Sequence, residues 1–216
     1  MKWTHVTVAV AKGRILEGTR RLWTDAGLVW PIREKSRQLW ARPTDQTPGV
    51  IIARSRDIST LVARGIADLG VVGLDVLREY PDPGVIQVAD LAFARCRVVL
   101  AGSKPVWPEG PTRIATKYRR IAEQFFREQA HPIEIVSLSG SLELAPLIGL
   151  APYIVDIVDT GRTLKEHGLV EVATLFESTA RLIANPALWR TKPAVGALRS
   201  LFCQKSESLD EKGVPL

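Results

Sequence analysis

The sequence predicts an α/β protein built as two lobes. Short apolar segments alternate along the chain with segments of helical period, the rhythm of strand, helix, strand units and of mostly parallel sheets. The stretch ADLGVVGLD at 67–75 is a nearly continuous apolar run, the pattern of a strand buried on both faces. Strand candidates flank residues 93–95, so the chain passes there from one sheet into another, and the final helical segments are expected to return to the first. These readings place lobe I at 1–94 with about 177–203, lobe II at 95–176, and a flexible tail at 204–216. Two lobes joined by more than one crossover would leave a ligand-binding cleft between them.

Each element has a local reason. HVTVAV (5–10) alternates in period two and reads as a strand. A helix follows over 12–28, where Ile15, Leu16, Thr19, Leu22, Trp23 and Ala26 recur at helical spacing until Gly27 stops it. RQLWAR (37–42) and GVIIAR (49–54) are strands, and SRDISTLVARG (55–65) is a helix with Ser55 or Asp57 at its start and Gly65 at its end. DVLREY (75–80) is helical until PDPG (81–84) breaks the chain. VIQVADLAF (85–93) and CRVVLAG (96–102) are strands on either side of the crossover.

In the second lobe TRIATK (112–117), IEIVSL (133–138) and YIVDIV (153–158) are strands, with YRRIAEQFFREQ (118–129) and GSLELAPLIG (140–149) as helices. LVEVATLFESTARLIANP (169–186) supplies extended segments, and the pairs Asn185-Pro186 and Lys192-Pro193 each put a proline in a first helical turn. The polar stretch from 204 on is expected to fray.

Composition narrows the function classes. The chain has 216 residues, 46% hydrophobic and 24% charged, which is enough to bury a sizeable core and typical of folded soluble proteins. No apolar run could span a bilayer, and the N-terminus MKWTHVTVAVAKGR lacks the long apolar region of a signal peptide, so a cytoplasmic location without membrane association is expected. Cys96 and Cys203 have no metal-ligand spacing and His5, His131 and His167 are scattered, so no zinc site is expected and the cysteines are read as reduced and buried. Trp3, Trp23, Trp30 and Trp40 are read as core or subunit-interface residues, since Trp23 falls on the apolar face of its helix. A net charge of +6 calls for an anionic partner: nucleic acid, a membrane, or a polyanionic small molecule. The basic residues come in ones and twos rather than in a dense tract, which favours a pocket over a nucleic-acid surface.

The stretch IVDIVDTGRTLKEHGL (154–169) supplies such a pocket. A strand ends in two aspartates and runs through a glycine turn into a helix start, where unpaired N–H groups favour an anion. Thr160 and Thr163 offer hydroxyls, Gly161 lets the backbone approach, and Arg162 adds charge, a set able to cradle a phosphate monoester. Asp156 and Asp159 are acceptors suited to the vicinal hydroxyls of a ribose, or to magnesium held through its waters. The alternative is a capping turn in which Asp159 or Thr160 closes a short helix.

From Glu143 to Leu164, ELAPLIGLAPYIVDIVDTGRTL resembles without a break the signature of the ATP phosphoribosyltransferase family, which opens histidine biosynthesis. AKGRI (11–15), RSRDISTLVARGIADLGVVGLDVL (54–77), DLAFARCRVVLAG (90–102) and RIATKY (113–118) resemble the family's other blocks, in its order, so that the resemblance runs to about residue 203. Ala11 stands where the family has proline, and Ala92 and Ala94 where it has glycines. The resemblance implies a two-lobed fold like type II periplasmic binding proteins, with a central mixed or parallel sheet in each lobe and the active site in the cleft. It also implies transfer of the 5-phosphoribosyl group of phosphoribosyl pyrophosphate (PRPP) to N1 of ATP, with magnesium as cofactor and no covalent nucleophile.

By the same resemblance, Asp156, Asp159, Thr160, Gly161, Arg162, Thr163 and Leu164 would hold PRPP, with Asp156 and Asp159 near magnesium through water. Lys12, Gly13, Arg14, Arg54, Arg56 and Arg95 would meet ATP and polyphosphate, and Lys12, Arg14, Arg54, Arg95 and Arg97 would act electrostatically. Lys117 is a further candidate, and Glu143 would cap a helix or orient arginine and hydroxyl groups. The chain stops after the catalytic portion, as the family's short form does, so a regulatory subunit resembling histidyl-tRNA synthetase and a homodimer core are the expected partners. The rivals are a phosphoribosyltransferase of the more widespread class, which shares the local motif but not the other blocks, and a two-lobed small-ligand-binding protein.

Overall fold

The computed structural model describes residues 2–33 and 36–210, with backbone only at 207–210. In chain order the elements are β1 (Thr7–Ala11), α1 (Arg14–Asp25), β2 (Trp40–Ala41), β3 (Gly49–Ala53), α2 (Ser55–Ala63), β4 (Leu69–Gly73), α3 (Leu74–Glu79), β5 (Ile86–Asp90), β6 (Cys96–Gly102) and β7 (Thr112–Thr116). They continue as α4 (Arg119–Glu128), β8 (Ile133–Ser137), α5 (Leu144–Leu147), β9 (Tyr153–Val158), α6 (Arg162–Glu166), β10 (Val170–Ser178), β11 (Ala180–Ala184), α7 (Pro186–Thr191) and α8 (Pro193–Asp210). The chain divides into two compact units, Arg95–Ser178 being one and the segments before and after it the other.

The first unit is a six-stranded sheet in the order β2-β3-β1-β4-β11-β5. β1 pairs in parallel with β3 and β4, while β11 returns antiparallel between β4 and β5. The period-two pattern of β1 sends Val8 and Val10 into a core with Leu22, Trp23 and Phe202, and Ala9 and Ala11 into a second core with Ile58 and Val62. Both faces of the sheet are therefore covered, and all five residues of β4 are buried, as its apolar run requires. Trp23 anchors α1 to α8 through Phe202, with ring centroids 5.4 Å apart, and its indole N–H donates to the Thr47 hydroxyl at 3.0 Å. Burying each such side chain contributes roughly 1.5–3 kcal/mol.

The second unit is a five-stranded sheet in the order β10-β6-β9-β7-β8. β7 runs parallel to both β8 and β9, while β6 lies antiparallel to β9 and β10. One face packs Ile114, Val155 and Leu100 on Ile121 and Phe126 of the amphipathic α4. The other packs Ala115, Ile154 and Val158 on Leu142, Ala145, Leu164 and Leu169. That second cluster positions the site, since it holds the chain on both sides of residues 159–163.

The architecture is the α/β, two-lobed, periplasmic-binding-protein-like class read from the sequence, with one mixed sheet per lobe. Several local expectations change. The sheets are mixed rather than mostly parallel, because β2, β6, β10 and β11 run against their neighbours. The helix expected over 140–149 shrinks to Leu144–Leu147, with Ser141 at φ 49 turning the chain before it. RQLWAR keeps only Trp40 and Ala41 in the sheet, and Trp40 is half exposed while Trp3 and Trp23 are core. The tail expected from 204 is helical as far as Asp210, and residues 211–216 lie outside the described residues. Cys96 is buried and Cys203 partly so, both as free thiols. No helix among the described residues is long and apolar enough to cross a membrane.

Candidate functional site

The candidate site is built at the end of β9. Val158 and Leu164 are both core residues, so the five residues between them are pinned at each end. Gly161 sits at φ 76, ψ 3, in the left-handed region, and begins α6. Another residue there would cost roughly 1–2 kcal/mol, which explains the glycine. The turn, with Glu143 and Asp156, lines a hollow of about 160 Å³. Thr160 and Thr163 are exposed, and no hydrogen bond among the described residues engages their hydroxyls. The N–H groups of Arg162, Thr163 and Leu164 fall in the first turn of α6, where a helix has no acceptors of its own. With only five residues, α6 adds little dipole, so the capacity for an anion rests on these individual donors. Arg162 Nε donates to Glu166 Oε1 at 2.8 Å in a solvent-exposed pair worth about 0.3–0.5 kcal/mol.

Asp156 is fixed from two sides. Its Oδ1 accepts from the N–H of Ile157 at 2.8 Å and lies 3.1 Å from the Lys117 ammonium. The register pairs Thr116 with Val155, so Lys117 and Asp156 leave neighbouring parallel strands at the same height. Beneath them the buried Thr116 hydroxyl donates to Val155 O at 2.6 Å and accepts from Tyr118 N–H at 2.8 Å. Behind the turn, Glu171 Oε1 would stand 3.7 Å from a Cβ added at Gly161, and it accepts from Arg97 Nη2 at 2.6 Å. Arg95 makes a longer, exposed pair with Glu177 at 3.5 Å.

The other basic candidates lie in the first unit, at the carboxyl ends of adjacent parallel strands. Lys12 and Gly13 follow β1 and Arg54 follows β3, and the Lys12 N–H bonds to Ala53 O at 3.1 Å, tying the two ends together. Gly13, at φ 81 and ψ −145, starts α1 in a conformation open essentially to glycine alone, and it leads directly into Arg14. Lys12, Arg14, Arg54 and Arg56 are all exposed, with the Arg56 guanidinium 5.7 Å from the centre of the Tyr80 ring. The sequence candidates thus form two groups, one on each unit: Lys12, Gly13, Arg14, Arg54 and Arg56 on the first, and Arg95, Arg97, Lys117, Glu143 and 156–164 on the second.

A larger hollow, of about 460 Å³, lies at the opposite ends of β7 and β8, among Pro111, Arg113, Pro132, Glu134 and Pro152. It is open and edged by the exposed charges of Arg113 and Glu134, and it contains none of the residues singled out in the sequence. Among the described residues no group of three or more His, Cys, Asp or Glu side chains could cage a metal ion. Asp156 and Asp159 do match the one or two carboxylates that magnesium uses when substrate phosphates and water fill its other positions. Sequence reasoning missed Thr116 and Glu171. Thr116 acts through its pairing with Val155, and Glu171 through a side-chain contact to Arg97, which the register does not place opposite it; the one available signal was their position near strand ends beside recognised motifs.

Comparison with known proteins identifies the family. The ATP phosphoribosyltransferase family matches residues 54–204. The chain is 43% identical over 193 residues to an ATP phosphoribosyltransferase of Bacillus licheniformis, covering 88% of this chain and 90% of that one. An ATP phosphoribosyltransferase of Pseudomonas syringae is 42% identical over 192 residues, with the same coverage. Among solved structures, a chain of the ATP phosphoribosyl transferase (HisG:HisZ) complex from Thermotoga maritima superposes with a TM-score of 0.78 at 32% identity, covering 94% of this chain and 99% of that chain. By family match, by sequence identity across most of its length and by fold, the chain belongs to the ATP phosphoribosyltransferase family.

Proposed function

We propose that the chain is the catalytic subunit of a short-form ATP phosphoribosyltransferase, acting in the cytoplasm at the first step of histidine biosynthesis. The observation that carries the reading is the turn at 159–164, whose hydroxyls and first-turn N–H groups are left for a ligand in a chain that belongs to this family. In the proposed arrangement, Thr160, Gly161, Arg162, Thr163 and Leu164 surround the 5-phosphate of PRPP. Asp156 and Asp159 accept from the ribose hydroxyls, and Glu143, lining the same hollow, orients the donors around it.

N1 of the adenine ring attacks the anomeric carbon as the bond to the pyrophosphate oxygen breaks, with inversion, and the pyrophosphate departs with the bonding pair. The sugar passes through oxocarbenium character, so the chain's task is to orient the nucleophile and stabilise the leaving charge. Lys12, Gly13, Arg14, Arg54 and Arg56 are proposed to meet ATP and pyrophosphate, with Arg95 as a further contact. Arg97, paired to Glu171 behind Gly161, braces the phosphate turn in this scheme. Magnesium, held through water by Asp156 and Asp159, would neutralise part of the polyphosphate charge.

The chain covers 99% of a chain from a HisG:HisZ complex, which supports a HisZ-like regulatory partner; that this partner is synthetase-like and that the chain forms a homodimer core are proposed from the family resemblance. The test is formation of phosphoribosyl-ATP from ATP, PRPP and magnesium, with the chain alone and with that partner, with and without histidine. Turnover inhibited by histidine only when the partner is present supports the whole reading. Tight histidine inhibition of the chain alone would overturn the short-form assignment, and no turnover in either preparation would overturn the activity.

A further inference from the structure

We infer that Lys117 is a positioning residue for PRPP, fixing Asp156 so that a single oxygen of that carboxylate is offered to the ribose hydroxyls. The inference rests on the proposed function above and concerns a residue that the phosphate motif does not contain.

Asp156 stands third from the end of β9, with its side chain about three-quarters buried, at the wall of the site hollow. A carboxylate there has two rotational choices, and which oxygen faces the ligand depends on what holds the other. Here Oδ1 is held twice, by the Ile157 N–H at 2.8 Å and by the Lys117 ammonium at 3.1 Å. No hydrogen bond among the described residues engages Oδ2, which is thereby offered to a ligand. The Lys117 stem is itself held, with its ammonium 5.1 Å from the centre of the Tyr118 ring. The Thr116 hydroxyl, bonded to Val155 O and Tyr118 N–H, locks the ends of β7 and β9 at the height where the ion pair forms.

The pair also has an electrostatic consequence. PRPP is a polyanion, and the hollow is lined by the carboxylates of Glu143, Asp156 and Asp159 against the arginine of Arg162, which is engaged with Glu166. The cation on Asp156 lowers the local negative charge that the phosphates would otherwise meet. Lys117 therefore acts on binding of the sugar phosphate rather than on bond breaking.

The test compares wild type, K117M, K117R, D156N and K117M/D156N, each assembled with the synthetase-like partner. PRPP KM and kcat are measured at saturating ATP and magnesium, and PRPP binding is followed by calorimetry. K117M is expected to raise KM for PRPP about tenfold with kcat within about threefold, and K117R to restore KM to within about threefold. In the D156N background K117M should add less than about twofold, because its effect runs through Asp156. A full tenfold penalty in that background would mean that Lys117 touches PRPP itself, and an unchanged KM in K117M would make the pair a surface ornament; either overturns the inference. Failure of the wild type to bind PRPP would instead bring down the proposed function, and the inference with it.

Discussion

Two loops of this chain turn left-handed just after a strand and beside an aspartate, and they use their polar groups in opposite ways. After β5, Asp90 Oδ1 accepts from the Ala92 N–H at 2.9 Å and from the Thr179 hydroxyl at 2.7 Å, while Oδ2 pairs with Arg181 at 2.6 Å. That loop carries alanines at φ 59 and 52, at positions 92 and 94. After β9, the left-handed position falls to Gly161, and no hydrogen bond among the described residues engages the exposed hydroxyls of Thr160 and Thr163. The first loop uses its carboxylate to hold a backbone strained by roughly 1–2 kcal/mol per alanine. The second has no such strain to offset and keeps its donors outward. The first turn reads as structural, and the second, with its threonine hydroxyls facing outward, is the one proposed to take a ligand.

If that contrast is right, T163V should be the most damaging change to function. Loss of one donor aimed at the phosphate should lower kcat/KM for PRPP about a hundredfold, roughly 2.7 kcal/mol, with the melting temperature nearly unchanged. D90A should show the reverse. Removing the shared acceptor of Ala92, Thr179 and Arg181 should cost about 2 kcal/mol of stability by urea unfolding, discounted for the exposure of the carboxylate, with PRPP KM within about twofold of wild type.

G161A sharpens the comparison. The nearest atoms to an added Cβ are Glu171 Oε1 at 3.7 Å and Val158 Cγ1 at 3.9 Å, so the penalty should come from backbone conformation and amount to about 1 kcal/mol of stability. A94G is the smallest effect: relief of left-handed strain, partly cancelled by the freer unfolded chain, should raise stability by about 0.5 kcal/mol. A destabilised A94G would show that the alanine methyl is packed to advantage, and would break the contrast between the two turns.

The strands were legible wherever their signal is local. YIVDIV is β9 residue for residue, and IEIVSL and TRIATK each match a strand within one residue, because apolar runs bounded by polar or turn residues need no distant information. Helix α4 was legible for the same reason, through the burial of Ile121, Ala122 and Phe126 on one face. Pairing was not legible. The place of β11 between β4 and β5 joins segments about a hundred residues apart, and no local pattern encodes it. The site divides in the same way: residues 156–164 were read as one motif, whereas the ties that hold it are long-range, Thr116 to Val155 across 39 residues through strand register and Arg97 to Glu171 across 74 through side chains whose backbones are not register partners. The departures at Ala92 and Ala94 were visible as substitutions, but the carboxylate that supports them was not, since Thr179 reaches Asp90 across 89 residues.

In the proposed function the turn at 159–164 receives the phosphate of PRPP. Amide hydrogen exchange, measured peptide by peptide with and without PRPP and magnesium in wild type and T163V, tests it most directly. Exchange should slow across residues 159–166 in the wild type, an effect largely lost in T163V. Protection at Lys12–Arg14 with none at 159–166 would contradict it.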